Sequence, residues 1–220
     1  MVNKSEIIIQ TEAYVKSEMA QDYSGHDWFH VQRVVNTAKL LAEQEEHVDL
    51  FIIELAALLH DIGDWKFHKG DSSVGEKKAR EWLIPFEIPE KILDEVCFIV
   101  AHISYKGGTN TVKMRTREGQ IVQDADRLDA IGAIGIARTF AYGGFKGREI
   151  YNPGFTPQQY GSLQEYMAAN NTTINHFYEK LLLVKDGMHT PTAKRIAEKR
   201  HKFLEEFLDS FFKEWEGKDQ

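Results

Sequence analysis

The chain has 220 residues, 42% of them hydrophobic, which suits one large domain with a substantial core. A formal net charge of -7 argues against nonspecific binding to nucleic acid, which requires a basic surface. The apolar runs are shorter than a bilayer span, so we expect no membrane span. The N-terminus lacks the apolar segment of a signal peptide, and the single cysteine, Cys97, cannot form an intrachain disulfide. We therefore expect a protein of the reducing cytoplasm.

The first third of the chain has the periodicity of helices. It predicts a first helix over residues 3–20 and a second helix that begins after a cap at Asp27 and continues to about residue 45. His30 then lies in the first turn of the second helix, and Arg33 follows one turn later on the same face.

The third predicted helix, over residues 49–62, ends in polar groups that are unusual for a buried helix. Its apolar residues recur at the spacing of a helix with one buried face; they are Ile52, Leu55, Ala56 and Leu59. It stops in His60 and Asp61, which are costly to bury without partners or a metal. Either they cap the helix or bond each other, or they form part of a metal site. Gly63 is expected to turn the chain so that Asp64 faces the same pocket.

The rest of the chain alternates between loops and helices. The further predicted helices run from Ser72 or Ser73 to about Leu83, and then over residues 89–102, 120–141, 158–184 and 190–215. The last helix has aromatic residues at four-residue spacing, and we interpret them as a core stripe, with a dimer interface as the alternative; they are Phe203, Phe207, Phe211 and Trp215. Because no stretch alternates like a half-buried strand, we predict an all-α fold, a compact multi-helix bundle.

Three acids interrupt the apolar helical pattern near residue 126. Asp126 and Asp129 lie one turn apart on the same face, whereas Asp124 points elsewhere. Carboxylates among apolar neighbours need a compensating partner, and a divalent cation would supply one. Solvated or ion-paired side chains are the alternative, which we prefer for Asp124 and which stays open for Arg127 and Asp129.

The order of these groups, a histidine, an adjacent His-Asp pair and a distant aspartate, resembles the HD-domain superfamily of metal-dependent phosphohydrolases. Three separated blocks carry the resemblance, residues 25–34, 58–64 and 124–133, and it spans roughly residues 22–155. It implies the metal ligands His30, His60, Asp61 and Asp126. It also implies one HD-type helical domain over residues 1–220, with the helices within 158–215 completing the bundle, as in small bacterial single-domain HD hydrolases, some of which are nucleotide pyrophosphohydrolases.

Two imidazoles and two carboxylates form a mixed nitrogen and oxygen set that suits one divalent cation, namely Mn²⁺, Co²⁺, Ni²⁺, Fe²⁺, Zn²⁺ or Mg²⁺, with Mn²⁺ favoured. The expected reaction is attack of a metal-activated water on a small nucleotide, converting a nucleoside triphosphate to a monophosphate and pyrophosphate. A 5'-nucleotidase and a cyclic-nucleotide phosphodiesterase are alternatives. A nucleotide-sensing module without turnover is the alternative of another class.

The remaining candidate residues concern the base and the substrate. The resemblance supports Asp64 as general base, and capping of the following loop is the alternative. Arg33 is the first candidate for holding a phosphate through two hydrogen bonds. The further substrate-binding candidates are Lys69, His102, Arg127 and Asp129, with a solvated lysine and a helix-capping histidine as the alternatives for Lys69 and His102. His26 is interpreted as structural or exposed. The chain is expected to be a monomer or a homodimer.

Overall fold

The structure, a computed structural model, describes residues 3–20, 25–63, 71, 73–105, 112–162, 164–165 and 171–218. Within these residues it contains nine α-helices, two 3₁₀ helices and no strand, which confirms the predicted all-α fold. The chain divides into two compact units, Met1–Asp126 and Arg127–Gln220. The single domain over residues 1–220 stays a prediction. None of the described helices is both long enough and apolar enough to cross a membrane.

The first unit consists of helices that begin close to the predicted positions. They are α1 (Lys4–Glu18), α2 (Trp28–Ala42), α3 (Leu50–Leu59), α4 (Ser73–Leu83), α5 (Glu90–His102) and α6 (Arg117–Asp129), of which residues up to Asp126 belong to this unit. The starts of α1, α2 and α3 are fixed by side-chain oxygens of Asn3, Asp27 and Asp49, which accept hydrogen bonds from the first free backbone N–H groups. The cap predicted at Asp27 is confirmed.

Helix α3 lies at the centre of the first unit, where it packs against α1, α2 and α5. Its buried residues are Phe51, Ile53, Leu55, Ala56, Ala57, Leu58 and Leu59. The sequence predicted a helix with one buried face, but Ile52, assigned to that face, is only half-buried, whereas residues on the other sides are buried. Contact with three helices explains the difference, because a helix surrounded by others is apolar all round.

The predicted helix over residues 120–141 is wrong, because the structure has two helices there. Helix α6 ends at Asp129, and α7 (Gly132–Phe145) begins three residues later. Gly132 has φ +77°, in the left-handed region that interrupts a helix and that glycine adopts without strain. The apolar residues keep their spacing across this break, so periodicity alone did not reveal it.

The second unit continues from α7 with α8 (Asn175–Glu179), a 3₁₀ helix over Leu181–Gly187 and α9 (Pro191–Trp215). The predicted helix over residues 158–184 is wrong, since residues 155–162 are not helical. The backbone N–H groups of Thr173 and Ile174 instead donate to the carbonyls of Glu149 and Ile150, each at 2.9 Å. The helix predicted over residues 190–215 is confirmed.

The aromatic stripe of α9 is not the core stripe that the sequence predicted. The buried residues of this helix are Ala193, Ala197, His201, Leu204 and Leu208. Phe203 and Trp215 are 46% and 54% exposed, while Phe207 stacks on Phe177 with ring centroids 5.5 Å apart. Positions four residues apart rotate by about 40° at each step around an α-helix, so such a stripe cannot stay on one face.

Candidate metal centre

The four predicted ligands of the first unit converge on one point. Nε2 of His30 lies 3.1 Å from Nε2 of His60, 3.3 Å from Oδ2 of Asp61 and 3.6 Å from Oδ1 of Asp126. Nε2 of His60 lies 3.4 Å from Oδ2 of Asp61 and 3.9 Å from Oδ1 of Asp126. These separations match those between neighbouring ligands around one small cation, whose bonds to nitrogen and oxygen are about 2.0–2.2 Å long.

Three helices bring these groups together. The Asp27 carboxylate accepts a hydrogen bond from the backbone N–H of His30 at 2.8 Å, which fixes the first turn of α2 and the ligand within it. His60 and Asp61 follow the last turn of the buried helix α3, and Asp126 lies on α6. The side chains of both histidines are fully buried, whereas that of Asp126 is 27% exposed.

The tautomer of His60 is fixed by its own helix. Its Nδ1–H group donates to the backbone carbonyl of Ala57 at 2.8 Å. In the neutral form that a metal requires, the other ring nitrogen, Nε2, therefore carries the lone pair, and it lies 3.1–3.9 Å from atoms of the other three predicted ligands. Hydrogen bonds of this kind orient histidine ligands in metal sites.

The charges within the cluster oppose the effect of burial. Burial lowers the pKa of His60, but the attraction of Asp61, its hydrogen bond and the more distant Asp126 outweigh it, and the pKa rises to about 9. Burial likewise raises the pKa of Asp61, whereas His60 and the hydrogen bonds from three imidazoles hold it well below its usual range. Asp61 is therefore ionised at neutral pH, the state in which a carboxylate binds a cation.

The donor set fits a divalent cation. His30, His60 and Asp126 form one group whose ligand atoms all lie within 4.8 Å of one another, and His26, His30 and Asp61 form another. Neutral imidazoles and carboxylates bind Mn²⁺, Fe²⁺, Co²⁺, Ni²⁺ and Zn²⁺, while Mg²⁺ prefers oxygen. Four protein ligands leave positions open for water and substrate on a six-coordinate ion.

His26 also reaches the cluster, although the sequence analysis left it as structural or exposed. Its Nδ1 lies 2.9 Å from Oδ2 of Asp61, and its side chain is only 18% exposed. The available signal was its position directly before the cap residue Asp27, four residues from the ligand His30. Nothing in that spacing pointed to Asp61.

Comparison with known proteins identifies the family. The family model of the HD domain matches residues 28–131, which include all four predicted ligands. YpgQ of Bacillus subtilis, described as an uncharacterized protein, is 38% identical over 211 residues, which are 96% of this chain and 94% of YpgQ. The chain belongs to the HD domain family.

Solved structures agree with this assignment. A Lactobacillus plantarum protein is 35% identical with a TM-score of 0.87, and the match covers 99% of this chain and 100% of that protein. A Bacillus thuringiensis HD-superfamily hydrolase is 44% identical with a TM-score of 0.73, and the match covers 97% of this chain and 99% of the hydrolase. YpgQ in complex with ADP is 34% identical with a TM-score of 0.73, and the match covers 96% of this chain and 100% of YpgQ. The chain is thus an HD-superfamily hydrolase, a metal-dependent phosphohydrolase.

Two predicted functional residues of this HD domain, Asp64 and Lys69, lie outside the described residues. Arg33 is half-buried on α2, one turn from His30. His102 ends α5 with its Nδ1–H group donating to the Phe98 carbonyl at 2.8 Å, and its ring stacks on that of Phe98. This contact matches the capping alternative. The roles of all four residues stay predictions.

The other acids and bases of the 124–129 region are held by structural contacts. Asp124 is fully buried, as are its neighbours Ile121, Val122 and Ala125, so the solvated half of the prediction for Asp124 is wrong, and the ion-paired half stays a prediction. In the second unit, Arg127 donates to the Gly187 carbonyl, and the carboxylate of Asp129 pairs with Arg138 at 3.1 Å. The ion-pair alternative for Asp129 is therefore observed, and substrate binding by Arg127 and Asp129 stays a prediction.

Proposed function

We propose that the chain is a nucleotide pyrophosphohydrolase that cleaves a nucleoside triphosphate to a monophosphate and pyrophosphate. The observation that carries this proposal is the convergence of His30, His60, Asp61 and Asp126 in an HD domain. The ADP in the YpgQ complex supports a nucleotide with a phosphate chain as ligand. The proposal adds substrate and product to the metal-dependent phosphohydrolase that the family shows.

A divalent cation held by the four ligands would supply Lewis-acid chemistry, because it polarises a phosphoryl group and acidifies water. The chain contributes rigid ligands: Ala57 fixes the ring of His60, and Asp27 fixes the turn that carries His30. In the balanced reaction, water oxygen bonds to the α-phosphorus, the bond from this phosphorus to the bridging oxygen breaks, and pyrophosphate leaves. Asp64 is the proposed acceptor of the water proton.

The negative phosphate chain requires cationic contacts, since the leaving pyrophosphate gains charge as the bond breaks. Arg33 is the first proposed contact, because it is on α2 one turn from the ligand His30. Its guanidinium can bind two phosphate oxygens at once, which a lysine cannot do in a fixed geometry. His102 is the second proposed phosphate contact, through its Nε2 atom.

The test is a panel of nucleoside mono-, di- and triphosphates and cyclic nucleotides, assayed with each candidate metal separately and with both pyrophosphate and orthophosphate measured. We expect pyrophosphate and the monophosphate from triphosphates. Orthophosphate from monophosphates would instead indicate a 5'-nucleotidase, and opening of a cyclic nucleotide a phosphodiesterase. Tight nucleotide binding without hydrolysis in the presence of any of the metals would overturn the proposal of an enzyme and favour a nucleotide-sensing module.

A matched pair of variants tests whether the activity depends on the candidate metal centre. Asp126→Asn keeps the shape of a ligand but removes its charge, and we expect metal-dependent activity to fall by roughly 100-fold or more. Asp94→Asn makes the same change at an exposed ion pair with Arg80 and should leave the activity unchanged. Full activity of Asp126→Asn would rule out the proposed centre.

A further inference from the structure

We propose that His26 is a positioning residue of the metal centre, whose imidazole N–H holds the Asp61 carboxylate in the orientation that binds the cation. The inference rests on the metal-dependent function proposed above, but not on the identity of the nucleotide. It assigns to His26 a hydrogen bond to a ligand, not a bond to the metal.

Three imidazole nitrogens crowd around one oxygen of Asp61. Oδ2 of Asp61 lies 2.9 Å from Nδ1 of His26, 3.3 Å from Nε2 of His30 and 3.4 Å from Nε2 of His60. The shortest of these contacts, that of His26, has the length of a charge-assisted N–H···O hydrogen bond, while the other two exceed it.

A bound cation would change two of these three contacts. A histidine nitrogen that binds a metal presents its lone pair and carries no proton, so it cannot donate a hydrogen bond. Once His30 and His60 act as ligands through Nε2, neither can donate to Asp61. Among the contacts that the structure describes for this carboxylate, the bond from His26 is then the donor that remains. Hydrogen bonds from outside the coordination sphere orient ligating carboxylates.

The residues on both sides of His26 hold it in place. Gly25 directly before it has φ +88°, a left-handed conformation that turns the backbone into α2. Asp27 directly after it caps this helix through the N–H of His30. The rings of His26 and His30 meet edge to face, with centroids 5.7 Å apart. The segment from Gly25 to His30 therefore carries both a ligand and the residue that orients a second ligand.

The alternative is that His26 binds a metal directly, since its ligand atom lies within 4.8 Å of those of His30 and Asp61. Two substitutions separate these roles. The side-chain amide nitrogen of His26→Asn takes the place of Nδ1 and keeps a donor to Asp61, whereas it is a poor metal ligand. His26→Leu keeps the bulk and removes the donor. Should His26→Leu fail to fold, His26→Gln replaces it, because its amide nitrogen corresponds to Nε2 and misses Asp61.

The experiment is a calorimetric titration of the metal-free full chain and its variants with Mn²⁺ alone, alongside thermal unfolding of each metal-free protein. We expect one ion per chain throughout. His26→Leu should weaken the affinity by about 10- to 100-fold without a comparable loss of stability, and His26→Asn should restore most of it.

Three results would overturn the inference. They are an unchanged affinity in folded His26→Leu, an equal loss in the Asn and Leu variants, and a second ion that disappears when His26 is replaced. No nucleotide is present, so these results stand whatever the substrate is. Failure of the unsubstituted protein to bind any divalent cation would instead overturn the proposed function itself.

Discussion

The reactivity of the thiol of Cys97 follows from where α5 places it. The side chain is fully buried in the first unit. Burial raises the pKa of this thiol to about 11, and the Arg80 guanidinium opposes the rise only in part. Thiolate is the reactive form of cysteine, so both the burial of the side chain and the raised pKa of its thiol protect this residue from modification.

We therefore predict that Cys97 of the native protein reacts very slowly with a disulfide reagent such as DTNB at pH 8, where roughly one thiol in a thousand is ionised. The same protein in guanidinium chloride should react completely within minutes. The rate is followed by absorbance of the released thiolate. Rapid reaction of the native protein would show that α5 opens easily or that the thiol is exposed.

At the same scale, the sequence pointed to His60, Asp61 and Asp126 because each is a costly group in an apolar setting, and the resemblance to the HD-domain superfamily added His30 to the predicted ligands. Asp61 and Asp126 stand out among apolar neighbours in the sequence. The free-energy cost of burying a carboxylate there can be inferred from those neighbours alone. His26 did not stand out, since it lies in a polar stretch between Gly25 and Asp27. Its partner Asp61 is 35 residues away, and such a contact is set by folding.

At the scale of elements, the end of α3 meets the start of α4 through two glycines. A Cβ on Gly63 would lie 2.8 Å from the backbone nitrogen and 2.9 Å from the Cα of Gly75. Gly63 lies in a turn, as predicted, but it is not among the described glycines with positive φ, so the turn conformation itself does not require glycine. Glycine is required here because two backbones touch, directly beyond the predicted ligand Asp61.

Gly63→Ala is accordingly predicted to destabilise the protein by about 1 to 3 kcal/mol, because backbone atoms cannot move aside as a flexible side chain does. Gly144→Ala is the matched control: a Cβ there meets nothing within 4 Å in α7, and alanine favours a helix. Urea unfolding of the two variants measures the difference. Equal stability of both variants would show that α3 and α4 separate without cost.

The elements also show where periodicity misleads. The break between α6 and α7 depends on the left-handed conformation of Gly132, which a Cβ would strain while meeting the side chain of Arg200 at 3.0 Å. The residues around it keep helical spacing, so one long helix was predicted. Caps, by contrast, act over three residues, and the cap at Asp27 was predicted correctly.

At the scale of the whole molecule, a cation at the candidate centre would join α2, the end of α3 and α6. Three of the four predicted ligands, His30, His60 and Asp126, are 30 to 96 residues apart in the chain. The unfolded chain does not hold them together, so binding favours the folded state by an amount that grows with metal concentration.

We predict that Mn²⁺ at about 100 times its Kd stabilises the protein by roughly 2.7 kcal/mol. For a chain of this length, that corresponds to a rise in Tm of about 5–10 °C. Differential scanning fluorimetry with a metal series measures the shift. In Asp126→Asn the shift should largely disappear, and a shift of the same size in that variant would place the bound metal elsewhere.

The sequence by itself predicted the helical class, most helix starts and, with the resemblance to the HD-domain superfamily, the four residues that converge at the candidate centre. Helical periodicity, caps and the cost of buried polar groups are properties of short segments. Only the tertiary structure decided which of these groups meet. The bond from His26 to Asp61, the contact of Gly63 with Gly75 and the full burial of Asp124 depend on residues that folding brings together. Such contacts follow from the packing of whole helices, which no local pattern encodes.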